Sequence, residues 1–145
     1  MRDQNFKKFS EALLTEVIPR VESEYRVNKH RDDRAIAGLS MGGSESLLVG
    51  LNHLDKFSWV GGFSSGGIPE DFKNDFPSLD AHANQQLHLL WIACGTEDDL
   101  ITTNRALWAW LKTQGINVTE VETPGMHTWM VWRRNLAEFV PLLFR

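Results

Sequence analysis

Arg34-Ala35-Ile36-Ala37-Gly38-Leu39-Ser40-Met41-Gly42-Gly43 passes from a short apolar stretch into a glycine-rich corner, and residues 44–51 return to helical composition. Residues 34–39 read as a strand, so Gly38-Leu39-Ser40-Met41-Gly42 falls between a strand and a helix. That context gives a G-x-S-x-G physical content. A sharp turn must lift the serine hydroxyl off the end of the strand, and both flanking positions must be nearly free of side chain because backbone comes close. The N–H of Met41, in the first turn of the new helix, then points at any oxyanion forming on a group attacked by Ser40. Without chemistry, the same residues are a glycine-rich strand-to-helix turn.

Outward from this corner, the elements alternate. Upstream, Phe6, Phe9, Leu13, Val17, Val21 and Tyr25 recur at steps of three and four. They predict one face of a helix of about five turns, kinked at Pro19. Residues 30–33 read as a polar connection. Downstream, residues 57–63 predict a second strand, followed by a loop with Ser64, Ser65, Gly66, Gly67 and Pro69. Residues 72–84 carry mixed signals, with a short helix expected around 76–83. Residues 87–94 are a nearly continuous apolar run stopped by Gly95, which suits a parallel strand buried on both faces. A helix is expected over 100–114, closed by Gly115, then a strand over 117–121. A last helix over 129–143 has Trp132, Leu136, Phe139, Val140 and Leu143 on one side. The series predicts an α/β fold with a mainly parallel sheet of about four strands and helices on both faces, in one domain over 1–145.

Composition narrows the function classes. The 145 residues carry a net charge of −4, with 42% hydrophobic and 23% charged residues, as in a globular protein able to bury a core. An acidic balance lacks the basic footprint of a nucleic-acid binder. No apolar run approaches the ~20 residues of a membrane span, and the charged start is not a signal peptide, so no membrane partner is expected and the default compartment is cytoplasmic. The single cysteine excludes an intrachain disulfide framework. Cys94 ends a buried strand and reads as a structural thiol. His82 and His88 have no acidic or cysteine partners at ligand spacing, so neither a metal nor a cofactor is predicted. Asn117-Val118-Thr119 matches a glycosylation acceptor but falls in a predicted strand, and is discounted.

A serine nucleophile needs a base at the carboxyl edge of the sheet. His88 lies within a strand run and His30 precedes a strand, at the other edge. His53 and His82 read as surface residues. His127 follows the last strand and is the favoured base. The base needs an acid to hold its tautomer, and Glu97, Asp98 and Asp99 follow the 87–94 strand on the correct edge. Spacing does not separate the three, and Asp99 reads equally well as a helix N-cap. The order serine, acid, histidine is that of an α/β-hydrolase.

These residues resemble the esterase group of α/β-hydrolases that includes feruloyl esterases and enterochelin-esterase-like proteins. The resemblance rests on residues 35–43, on Ala93-Cys94-Gly95-Thr96-Glu97-Asp98-Asp99-Leu100-Ile101, and on Gly125-Met126-His127-Thr128-Trp129-Met130-Val131-Trp132-Arg133. It implies Ser40 as nucleophile, Asp98 as acid and His127 as base, acting on short-chain acyl or phenolic esters. It also implies that this chain matches the C-terminal half of the fold, with the early strands and the loop donating a second oxyanion N–H absent from these residues. The strand at 34–39 is then expected to have an open edge, and two chains to pair it across a two-fold axis as a homodimer. One donor fewer lowers the rate roughly a hundred- to a thousandfold, unless a partner or residues 64–67 replace it. The alternative is a hydrolase half acting as a non-catalytic binding module.

Six tryptophans remain to be placed. Trp59 and Trp91 fall in strands and read as core. Trp108 and Trp110 are two apart on one helix and cannot share a face. Trp129 and Trp132 follow His127 and, with Leu39, wall a substrate pocket or pack the last helix.

Overall fold

The computed structural model describes residues 2–68 and 71–145, so Pro69 in the expected loop lies outside the described residues. Four strands, β1 (Ala35–Leu39), β2 (Trp59–Phe63), β3 (Leu89–Gly95) and β4 (Thr119–Thr123), pair in parallel in chain order. The helices are α1 (Arg2–Ala12), α2 (Ile18–Glu24), α3 (Met41–Asn52), α4 (Phe72–Asp75), α5 (Ile101–Thr113) and α6 (Trp129–Phe139). Strand side chains alternate between two cores. Val60, Leu90, Ile92 and Cys94 pack with Leu47, Leu107 and Leu111 of α3 and α5 on one face. Phe63, Trp91 and Ala93 pack with Phe139 of α6 on the other. The α/β expectation with helices on both faces therefore holds.

Three local expectations need correction. The opening helix is not simply kinked at Pro19. A π-helical turn at Leu13–Val17 runs directly into α2, and Pro19 sits in the first turn of α2, so the wider turn is where the helix takes up a residue with no N–H to donate. The extra residue rotates the buried stripe, so Leu13, Leu14 and Ile18 meet the core while Val17, Val21 and Tyr25 stay exposed. The helix expected over 76–83 is instead α4 and a 3-10 turn at Ala81–Gln85, with Phe76 fully buried between them. Lastly, α6 ends at Phe139 before a 3-10 turn containing Pro141, and its buried stripe is Val131, Asn135 and Phe139. Leu136 and Val140 are exposed. Asn135 belongs inside because its Oδ1 accepts the Thr123 hydroxyl.

Trp59 and Trp91 are core, as read. Trp108 is buried, whereas Trp110 is half-buried against Phe72 and Phe76. Among the described residues β1 pairs only with β2, leaving its outer edge open. A groove of about 410 Å³ runs beside it, lined by Val17, Val21, Val27, Ile36, Phe57 and Phe144 among others. No described helix is long and apolar enough to cross a membrane.

Candidate active site

Ser40 stands between β1 and α3 with φ 54° and ψ −122°, a conformation that costs a non-glycine residue about 1–3 kcal/mol. Four backbone bonds hold it there: Ser40 N–H donates to Phe63 O at 2.8 Å, and Ser40 O accepts from Gly43 and Gly66, both at 3.1 Å, and from Ser44 at 3.3 Å. The two motif glycines are not equivalent. A Cβ on Gly38 would lie 2.3 Å from Gly42 O, so only glycine lets the turn close. A Cβ on Gly42 would meet nothing within 4 Å, so the steric demand expected there does not come from the described residues.

The structure brings Ser40, His127 and Asp98 together in that order. Ser40 Oγ lies 3.0 Å from His127 Nε2, and His127 Nδ1 lies 2.8 Å from Asp98 Oδ2. Of the three consecutive acids only Asp98 is buried; Glu97 and Asp99 are exposed. Its other oxygen, Oδ1, accepts the Leu100 N–H at 2.9 Å, so Asp98, not Asp99, serves the start of the following helix. Burial pushes the Asp98 carboxyl up, but hydrogen bonds from Leu100, Ser64 and His127 outweigh it and hold the group below its ordinary value. A carboxylate, an imidazole and a hydroxyl in line can move the serine proton onto Nε2.

The remaining histidines are elsewhere. His88 Nε2 lies 3.0 Å from Asp32 Oδ1 and His30 Nδ1 lies 3.3 Å from Asp32 Oδ2, at the amino edge of the sheet. His82 pairs with Asp80. Among the described residues no three His, Cys, Asp or Glu are grouped to hold a metal ion.

Met41 opens α3 beside Ser40, where a helix N–H has no intrahelical acceptor. The loop after β2 is a poor source of a second donor. Ser64 N–H donates to Ala93 O at 2.7 Å, Ser65 N–H to Asn104 Oδ1 at 3.2 Å, and Gly66 N–H to Ser40 O. Leu39, Trp129 and Trp132 do come together, lining with Phe63, Arg133 and Leu136 a cavity of about 240 Å³. Trp132 faces His127 edge to face at 4.8 Å between centroids. Two residues went unread in the sequence: Asn104, which clamps Ser65 on both backbone groups, and the Ser64 hydroxyl, which accepts from Trp132 Nε1 at 3.0 Å. Their signal was position, since Ser64 follows β2 at the carboxyl edge shared by the other site residues.

A family model described as "Putative esterase" matches residues 2–143. The acetyl esterase of Caldicellulosiruptor saccharolyticus is 28% identical over 89% of this chain and 61% of its own. The ferulic acid esterase of Anaeromyces mucronatus, solved with ferulic acid, superposes with a TM-score of 0.80 at 25% identity, over 94% of this chain and 54% of its own. The S-formylglutathione hydrolase of Staphylococcus aureus shares the fold, with a TM-score of 0.81 at 21% identity over 99% of this chain and 64% of its own. The chain thus spans somewhat more than half the length of these relatives. Matched by the model along nearly its full length, with the strand order and edge geometry of an α/β-hydrolase, it belongs to this esterase family.

Proposed function

We propose that the chain hydrolyses carboxylic esters through an acyl-enzyme on Ser40. His127 Nε2 takes the hydroxyl proton as Oγ attacks the acyl carbon, and Asp98 holds the imidazolium in place. The Met41 N–H receives the oxyanion. Collapse of the tetrahedral intermediate expels the alcohol, which leaves with the proton from His127. Water then attacks the acyl-serine, giving its proton to the same nitrogen, and Ser40 departs with that proton as the carboxylic acid is released. The observation that carries this reading is the 3.0 Å and 2.8 Å pair of contacts through one imidazole.

The aromatic and aliphatic cavity beside Leu39 and Trp132 suits a short acyl or a phenolic, feruloyl-type group. An acetyl esterase and a ferulic acid esterase among the relatives favour the same range. Among the described residues Met41 is the candidate donor, since three N–H groups of the β2 loop are engaged elsewhere, and one further donor at such a site is worth roughly a hundred- to a thousandfold in rate.

The test is hydrolysis of p-nitrophenyl acetate, butyrate and methyl ferulate beside Ser40→Ala. Turnover that disappears in the variant supports the proposal. Equal rates from both proteins overturn it and favour a non-catalytic binding role. We further propose that a second copy covers the open β1 edge, pairing it antiparallel across a two-fold axis and burying Val17, Val21 and Phe144. Sedimentation at micromolar concentration should give a dimer, and a strict monomer overturns that pairing.

A further inference from the structure

Ser64 is a fully buried serine that the proposed chemistry does not use. It stands at the carboxyl end of β2 with φ 46°, a left-handed conformation rare for residues other than glycine. Its oxygen accepts the indole N–H of Trp132 at 3.0 Å. An indole nitrogen only donates, so the serine's own hydrogen must go to another acceptor. Two groups lie within its reach: the Cys94 sulfur, a weak acceptor, and the Asp98 carboxylate, a charged one. The carboxylate should take it. Trp132 in turn sets its ring at 87° to that of His127, so the contacts close into a circuit from Trp132 through Ser64 and Asp98 to His127.

On the footing of the esterase reading above, we propose that Ser64 is a positioning residue. Its hydroxyl, oriented by Trp132, supplies a third hydrogen bond to the Asp98 carboxylate beside those from Leu100 and His127, and so fixes the plane in which Asp98 meets the imidazole. The last helix thereby reports to the acid, not only to the pocket. A serine kept in a left-handed turn where glycine would relax the backbone fits a need for the hydroxyl itself.

Two variants test this. Ser64→Gly removes the hydroxyl at a position where glycine is at ease, and Trp132→Phe removes the indole N–H while keeping an aromatic ring. Two readouts are compared with wild type: kcat and KM on p-nitrophenyl acetate, and the titration of the Asp98 carboxyl followed by carbon-13 NMR. In Ser64→Gly, kcat should fall roughly ten- to a hundredfold, the range for one hydrogen bond to a charged group, with KM within about twofold. The Asp98 carboxyl should titrate at higher pH than in wild type. Trp132→Phe should move both readouts the same way by less. Wild-type kcat and an unmoved Asp98 titration in Ser64→Gly overturn the proposal. Should that variant not fold, an unmoved titration in Trp132→Phe overturns it equally. A wild-type rate no higher than Ser40→Ala defeats the esterase reading instead, while the carboxyl titration still decides the role of Ser64.

Discussion

A Cβ placed on Gly95 would lie 2.3 Å from the carbonyl oxygen of Gly125, so the ends of β3 and β4 touch backbone to backbone. From that contact one chain leaves for Asp98 and the other for His127. Thr96 N–H to Thr123 O at 2.9 Å and Glu97 N–H to Gly125 O at 3.0 Å tie the same two segments. The separation of acid and base is therefore set by the absence of one methyl group. Gly95→Ala should spread the segments, and a displacement of about 1 Å costs roughly a hundredfold in rate. The expected result is a hundredfold loss in kcat/KM on p-nitrophenyl acetate with the far-ultraviolet circular dichroism retained. A loss of less than threefold would show that the contact does not set the distance.

The two glycines of the nucleophile turn should respond oppositely. Gly38→Ala drives a methyl into Gly42 O and C, backbone atoms that cannot step aside, and should cost about 3 kcal/mol, the upper end of overpacking penalties. Gly42→Ala adds a methyl to open space in the first turn of α3, where alanine is the better helix former by up to about 1 kcal/mol. Urea unfolding of the two variants should place them on opposite sides of wild type. Equal destabilisation would mean that something beyond the described residues covers Gly42.

Asp98 makes the acid limb of stability predictable in sign. Its carboxyl titrates lower when folded than the free value of 3.8, so between the two values the unfolded chain binds more protons and stability falls as pH falls. The contribution is whole well above pH 3.8 and is lost progressively below it. Asp98→Asn cannot titrate, so its melting temperature should decline less steeply than that of wild type from pH 5 to 3. Parallel slopes would show that the folded carboxyl is not depressed.

The strand–corner–helix pattern at residues 34–51 carried the fold because its signal is local: apolar strand, glycine corner, helical return. The same holds for His127 and for the acid cluster, which needed only the rule that function gathers at the carboxyl edge. What the sequence hid was set at long range. Spacing left Glu97, Asp98 and Asp99 open, because the choice depends on which side chain turns inward beneath His127, and only the family resemblance pointed to Asp98. The π turn before Pro19 rephased a helix whose apolar period otherwise looked regular. On α6, an asparagine took a core position because Thr123 offers it a partner, while Leu136 was left to line a cavity. Ser64 and Asn104 resemble ordinary polar residues until the loop after β2 folds over Ser40.

Cys94 tests the interior beneath the acid. Burial, with the neighbouring Asp98 charge adding to it, pushes its thiol up to about 12, and the side chain has no exposed surface. A thiol that stays protonated and covered is inert, since the thiolate is the reactive form. Native protein at pH 8 should therefore give no reaction with 5,5′-dithiobis(2-nitrobenzoate) over minutes, and one equivalent at once in denaturant. The sign on the alkaline side follows too. Because the folded thiol keeps its proton above the free value of 9.0, the unfolded chain loses protons first, and stability should fall as pH rises from about 9 toward 12. Cys94→Ala should flatten that decline relative to wild type. Fast labelling of the native protein, or an alkaline decline unchanged in the variant, would place Cys94 outside the sealed layer under Asp98.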